Sequence, residues 1–291
     1  MGGFLRVLTF SVALVVAGPS FGAELYWPER GADRICRSLP DGSSWSVFVS
    51  GVDTVEKLAV DDVGRYVYWP QYDTRIVARV SLEGGVPETL LENIGGVTSV
   101  ALDPVGGKLY WISAWGSFGR ANLDGSDPET LVTGLGAPQD IALDITGGKM
   151  YWGDLSTSIL QRANLDGSGI EDLITGVDAS GVELDLVSSK IYWADQNADF
   201  IGWANLDGSD PQNLIIGLLN PNGMAIDHDL GKLYWAESTD LVRRANLDGS
   251  NPETLVTGLD FVRGVAFDFR DAVFSDDFES GGTTAWSGTT P

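Results

Sequence analysis

Ala101–Thr133 reads ALDPVGGKLYWISAWGSFGRANLDGSDPETLVT, whose skeleton is an Asp, a Tyr-Trp pair ending eight residues later, an Asp-Gly turn and a short apolar run. The same skeleton recurs along the chain. Asp61, Asp103, Asp144, Asp185 and Asp227 each precede a Trp by eight residues, at Trp69, Trp111, Trp152, Trp193 and Trp235. Tyr26-Trp27 stands at the front without its Asp, and Asp268 stands at the back without its Tyr-Trp. Self-similarity at a period of about 41 residues means an array of like units, each unable to bury its apolar face alone.

Each unit divides into four segments, for example 141–144, 149–152, 160–165 and 172–175. All are short, apolar or alternating, and bounded by Gly, Asp, Ser or Pro, which is the pattern of strands. The third and fourth are joined by Asp-Gly in five units and by Glu83-Gly84 in the other, a tight-hairpin dipeptide whose Gly accepts positive φ. Four antiparallel strands repeated six times, with no helical periodicity, predict an all-β, six-bladed β-propeller. The orphan halves complete each other: residues 24–50 supply strands two to four of one blade, and 263–269 supply its innermost strand. That pairing joins the chain ends and removes an open sheet edge. Asp-to-Trp spacing never varies, so the variable connections are those from second to third strand and from one unit to the next. Alternating strand direction places both on one face of the disc, the loop face.

The 291 residues are 43% hydrophobic, and the repeat makes them one closed array rather than two domains. Residues 1–22 are expected to be a secretory signal: Arg6 is the positive flank, 7–17 the apolar run and Ser20-Phe21-Gly22 the small-residue cleavage region. The run is shorter than the roughly 20 residues that span a bilayer; the bland alternative is a buried first strand. Residues 23–269 are the expected propeller and 270–291 a flexible tail rich in Gly, Ser, Thr and acid. A secreted monomer, in the periplasm or at the cell surface, is expected. The formal charge of −23 disfavours nucleic acid and anionic membrane as partners. Cys36 is alone, so no internal disulfide forms, and it reads as a half-buried filler. The single His228 leaves almost no material for histidine acid–base or triad chemistry.

The Tyr-Trp segments, Tyr26-Trp-Pro-Glu, Tyr68-Trp-Pro-Gln, Tyr110-Trp-Ile-Ser, Tyr151-Trp-Gly-Asp, Tyr192-Trp-Ala-Asp and Tyr234-Trp-Ala-Glu, resemble the YWTD or low-density lipoprotein receptor class B repeat. Arg-Ala-Asn-Leu-Asp-Gly-Ser following Arg120, Arg162 and Arg244 strengthens the likeness, and unit five has Trp203 in place of the Arg. The fourth motif position departs from the pattern at Gln71 and Ser113, and the disulfide-rich modules that flank the repeat in that family are missing from 24–269 and its surroundings. The resemblance implies a six-bladed binding platform; fold alone does not settle function. The run from Asp277 to Ser287 resembles short C-terminal segments of secreted bacterial proteins.

Residues that recur in every unit are read as structural, since one ligand site has no use for six copies: Asp61, Asp103, Asp144, Asp185, Asp227, Asp268, and Trp27, Trp69, Trp111, Trp152, Trp193, Trp235. Function is expected where the units differ. Five residues before each Asp stand Glu56, Thr98, Gln139, Ser180, Asn222 and Arg263, all polar and no two alike. Next to them come Lys57, Ser99, Asp140, Gly181, Gly223 and Gly264. This ring is expected at the loop-face mouth of the central channel, as a ligand site or as a solvated funnel. Two before the Asp, five units carry Ala and the other carries Glu183. A carboxylate there must be paired, metal-bound or protonated; it reads either as a ligand for a cation or substrate hydroxyl, with Asp140, or as a water-bridged side chain. Arg263 and Glu56 are expected to form a rim salt bridge of little worth if exposed. Tyr72, Trp115, Phe118, Phe200 and Phe261 fall in the variable connections, as recognition surface or as plugs over the sheet ends.

The leading expectation is a non-enzymatic binding or scaffolding propeller for a protein or glycan outside the cytoplasm, with no cofactor. The alternative is a Ca²⁺-dependent hydrolase or lyase that is similar to six-bladed lactonases, with Glu56, Asp140, Glu183 and Asn222 as the only plausible oxygen ligands. Lactonase sequences lack this Tyr-Trp repeat. A third reading is a degenerate propeller serving as an envelope spacer.

Overall fold

Adjacent residues of a strand point to opposite faces of its sheet. A Tyr-Trp pair in a middle strand therefore offers one large ring to each side, and the fold follows from this. A computed structural model describes residues 23–268; the expected signal segment 1–22 and tail 270–291 lie outside the described residues, as does Phe269. The described chain forms six four-stranded antiparallel sheets, numbered here as blades in chain order. Every buried cluster joins two blades: Tyr26 packs with Trp69, Tyr68 with Trp111, Tyr110 with Trp152, Tyr151 with Trp193, Tyr192 with Trp235, and Tyr234 with Trp27. Each Tyr faces the next blade and each Trp the preceding one. Six identical joints close the ring.

Blade one is made of Glu24–Glu29, Arg34–Ser38 and Ser46–Ser50, and its innermost strand is Ala266–Asp268 from the far end of the chain. The closing register is Glu24↔Asp268, Leu25↔Phe267 and Tyr26↔Ala266. Glu29 Oε2 reinforces it by accepting the Asp260 amide at 3.1 Å. The innermost strands of blades two to six are Ala59–Asp61, Val97–Asp103, Pro138–Asp144, Ala179–Asp185 and Pro221–Asp227.

The outer hairpins lock neighbouring blades. Gly125 has φ +84°, and a Cβ there would stand 2.5 Å from the Leu90 carbonyl oxygen of the preceding blade. Asp124 Oδ1 accepts the Ser126 amide at 3.0 Å and so shapes the same turn. From the other side, Arg79 and Arg162 donate to the Leu123 and Leu206 carbonyls of the following blade at 2.8 and 2.9 Å. Where Trp203 replaces this Arg, the Lys190 ammonium lies 3.7 Å from the indole centroid instead. Among the described residues no helix is long and apolar enough to cross a membrane.

Candidate functional site: the channel and its loop-face mouth

Four of the innermost strands carry a β-bulge near their loop-face ends, between Val97 and Ser99, Pro138 and Ile141, Ala179 and Gly181, and Pro221 and Met224. Thr98, Gln139, Ser180 and Asn222 all fall inside these bulges. A bulge adds a residue to one strand and re-aims the side chains beside it. The variable polar positions are thereby split into two sets with different surroundings.

One set meets on the axis. Lys57 Nζ lies 2.6 Å from Asp140 Oδ2 and also donates to the Ser180 carbonyl. Blades two and five are opposite in a ring of six, so Lys57 crosses the channel. Asp140 takes three further hydrogen bonds: Oδ1 accepts Ser99 Oγ at 2.7 Å and the Ile141 amide at 3.0 Å, and Oδ2 accepts the Val182 amide at 3.0 Å. Two of the three glycines of this column, Gly223 and Gly264, lie against the Lys57 stem. A Cβ on Gly223 or Gly264 would stand 3.5 or 3.4 Å from the lysine stem, and one on Gly181 only 2.8 Å from the Asn222 carbonyl oxygen. Lys57 and Asp140 are both buried at 7% exposure. Burial lowers the Lys57 pKa below its ordinary value, against the attraction of Asp140. An ion pair so placed is costly to break from one side, because the surviving charge stays buried.

The other set belongs to the loop-face mouth. A depression of about 270 Å³ is lined by Arg30, Glu56, Tyr72, Thr98, Gln139 and Arg263. The expected Glu56–Arg263 pair is present at this mouth, on the buried rather than the exposed side of the condition set for it. Glu56 is buried at 7% exposure and holds Arg30 Nη1 at 2.8 Å as well as Arg263 Nε at 3.5 Å. Arg263 also borders a second depression of about 280 Å³ with Gln196, Asn220, Ser238, Thr239 and Phe261. Thr98 and Ser180 turn their hydroxyls to backbone, Ser180 Oγ donating to the Pro221 carbonyl at 2.9 Å and Thr98 Oγ1 to that of Pro138 at 3.4 Å. Asn222 is buried, with Nδ2 donating to Ser238 Oγ at 3.3 Å. Of the six ring residues, Ser180 and Asn222 serve the interior alone, Thr98 binds backbone beneath the mouth, and Glu56, Gln139 and Arg263 shape the mouth.

The aromatic set divides. Trp115 is 61% exposed with the Arg75 guanidinium 5.0 Å from its ring centroid. Phe261 is 39% exposed, with Arg263 at 4.9 Å and Arg30 at 5.8 Å from its ring. Tyr72 is half-buried in the mouth. Two members are corrected. Phe118 lies in the strand Ser117–Asn122, fully buried and edge-on to Trp152 at 4.6 Å. Phe200 opens the strand Phe200–Asn205 and packs half-buried on the core between blades four and five. Cys36 is likewise fully rather than half buried, its thiol donating to Glu29 Oε1 at 3.0 Å and pushed above its ordinary pKa by burial.

The recurrent acids bind backbone. Asp61, Asp103 and Asp144 accept the amides of Gly64, Gly106 and Gly147 at 2.7 Å, and Asp185 and Asp227 those of Ser188 and Leu230 at 2.9 Å. Asp268 differs in binding Arg65 Nη1 of blade two at 3.0 Å. The fourth motif residue pins the loop arriving from the previous blade: Asp154 accepts the Gly136 and Ala137 amides at 2.8 and 3.0 Å, Asp195 that of Asp178 at 3.0 Å. Ser113 inverts the polarity and donates to the Gly95 carbonyl, while Trp115 covers Gly95 and Gly96.

Glu56, Asp140, Glu183 and Asn222, the expected oxygen-ligand set, are not brought together. Glu56 is held by two arginines, Asp140 by Lys57, and Asn222 by Ser238. Glu183 lies on the far side of the Lys57–Asp140 bridge, in a cavity of about 310 Å³ that reaches the turn face beside Pro104 and Leu186. Among the described residues no three His, Cys, Asp or Glu are grouped to hold a metal. His228 sits on that same turn face, its Nδ1 3.8 Å from Asp185.

Residues 189–228 match the model of the low-density lipoprotein receptor repeat class B. The chain is a six-bladed propeller carrying the class B repeat. Among solved structures, a chain of a nidogen/laminin complex is similar, with a TM-score of 0.78 and 24% identity over 86% of this chain and 99% of that one. TolB from Acinetobacter baumannii is similar at a TM-score of 0.71 and 12% identity, over 86% of this chain and 67% of that one. At these identities both likenesses establish the shared fold. No curated protein matches the chain in sequence. In this propeller the six equivalent joints serve closure, and the loop face is where the blades become individual.

Proposed function

We propose that the chain is a secreted, non-enzymatic binding propeller that recognises a protein through its loop face. The observation that carries this reading is the loop face around Arg263, where half-buried Arg30 and Arg263 lie against the exposed Phe261 ring and exposed Arg75 against the exposed Trp115 ring. Arginine and aromatic side chains are the groups that anchor protein interfaces. The chain as a whole carries a formal charge of −23, so three arginines on one face offer a local site for an acidic segment of a partner. The nidogen chain comes from a complex with laminin, which supports a protein partner as the class. Secretion rests on the character of residues 1–22.

The test is a peptide-display selection on the immobilised full chain, with a glycan array beside it. Enrichment of Asp- and Glu-bearing peptides is expected, with affinity falling about tenfold or more in Arg263→Ala and Trp115→Ala, which is about 1.4 kcal/mol. The turn-face variant Val105→Ser should leave binding unchanged. Binding that survives both loop-face variants, or that Val105→Ser removes, contradicts the proposal. Glycan hits with the same loop-face sensitivity would keep the face and change the partner class.

A further inference from the structure

Below the Lys57–Asp140 bridge the channel has a different chemistry. Its walls are Ala59, Ala101, Ala142, Val100, Leu143 and Met224 together with their neighbours on the six inner strands. In this space of about 310 Å³, which Lys57, Ser99 and Asp140 also line, Glu183 is the carboxylate that no described cation pairs. It makes no hydrogen bond or ion pair with any described residue. The other five blades show that the fold does not need it, since the same position is Ala59, Ala101, Ala142, Ala225 and Ala266. The turns following the inner strands, which surround the outer end of this half-channel, carry exposed Val63, Val105, Val187 and Leu230. An apolar entrance leads along an apolar wall to one unpaired acid.

We propose that this half-channel binds an aliphatic primary ammonium, its chain along the alanine, valine and leucine walls and its cationic head on the Glu183 carboxylate. The groups already present cannot supply that cation. Lys57 is bound to Asp140 and to the Ser180 carbonyl. Hard metal ions are disfavoured because they require six or more oxygen ligands and the cavity offers one free carboxylate. An alcohol brings no charge that would hold the acid ionised, and a fatty carboxylate would be repelled by it once ionised.

The charged groups facing Glu183 are Lys57 from blade two and Asp140 from blade four; blades one, three and six contribute apolar side chains, glycine and Ser99. On its own blade, Asp185 is engaged with the Ser188 amide, and the Tyr192 hydroxyl points to the Leu247 carbonyl at 3.5 Å. Burial pushes Glu183 up to about 8, the Asp140 charge adding to the rise and Lys57 opposing it. The acid therefore holds its proton to higher pH than an ordinary carboxylate. An arriving ammonium, which keeps its proton to about pH 10, displaces the proton of Glu183. Binding should strengthen with pH until the acid is ionised.

The experiment is calorimetric titration of the full chain with hexylammonium chloride at pH 6, 7, 8 and 9, with hexanol and hexanoate as controls. The affinity for hexylammonium is expected to rise about tenfold per pH unit from 6 to 8 and then level off. Glu183→Ala, which restores the residue of the other blades, and Glu183→Gln should each weaken it at least tenfold at pH 8 while melting cooperatively. Hexanol binding should be indifferent to both substitutions. A lysine-bearing peptide in a parallel arm separates the two sources of this chemistry: tighter binding than hexylammonium assigns the head group to a partner's lysine, weaker binding to a free amine. No binding of either ammonium at pH 8, equal binding to Glu183→Ala, or preference for hexanoate would overturn the proposal.

Discussion

The two halves of the channel are built on the same six strands and share almost no chemistry. Toward the loop face, bulges turn polar side chains into two layers, an arginine-bordered mouth and beneath it the buried Lys57–Asp140 bridge. Toward the turn face the strands pair regularly, and the side chains they turn to the channel are small or apolar but for Glu183. Regular pairing repeats itself from blade to blade. A bulge releases one blade from the pattern of the next, so individuality collects where bulges are. Glu183 is the exception, an individual residue inside the regular half.

The largest expected effects lie in the layer that separates the halves. Lys57→Met leaves the Asp140 carboxylate buried without its cation and should cost about 3–5 kcal/mol in denaturant unfolding; a loss below about 1 kcal/mol would mean that water already reaches the bridge. The joints between blades should respond on a similar scale, with Trp69→Ala costing about 3–5 kcal/mol.

Next comes the regular half. Glu183 has its pKa raised from the ordinary 4.5 to about 8, so the folded state binds its proton more tightly than the unfolded chain. That contribution is complete below about pH 4.5 and is lost as pH rises through about 8. Relative to the parent, Glu183→Ala should therefore gain stability between pH 5 and pH 9, on the order of 3 kcal/mol. Thermal melts of both proteins at the two pH values check it, and an unchanged difference would place Glu183 in bulk-like water. Gly223→Ala would bring a Cβ to 2.8 Å from the Gly264 Cα, and about 1–3 kcal/mol of overpacking is expected. The smallest effect belongs to the rim: Arg120 Nε–Glu129 at 2.6 Å is half exposed on the acid side, and Glu129→Gln should cost less than about 1 kcal/mol and shrink further in salt.

The fold was legible because its signal is repeated six times. Asp-to-Trp spacing, the Asp-Gly hairpins and the orphaned ends led to the ring and its closure without any knowledge of contacts. The candidate site was legible only in part. The variable column was visible, but spacing does not reveal bulges, and without them Ser180 and Asn222 look like mouth residues when their side chains bind the interior. Phe118 and Phe200 were misplaced for a related reason, since the third strands begin earlier than the loop composition suggests. Arg30 and Ser238 carry no repeat signal and emerge only from packing. The bridge did leave a trace. Lys57, Ser99 and Asp140 share one column with Gly181, Gly223 and Gly264, and Gly223 and Gly264 lie against the lysine stem.

The claim on which the two-part channel rests is that Lys57 and Asp140 are directly paired across the axis. A double-mutant cycle of Lys57→Met and Asp140→Asn, read by denaturant unfolding, measures that pairing most directly. A coupling energy of about 2–3 kcal/mol is predicted, at the upper end for residues in contact. A coupling below about 0.5 kcal/mol would mean that the two charges act independently, and that the channel is one continuous water-filled space.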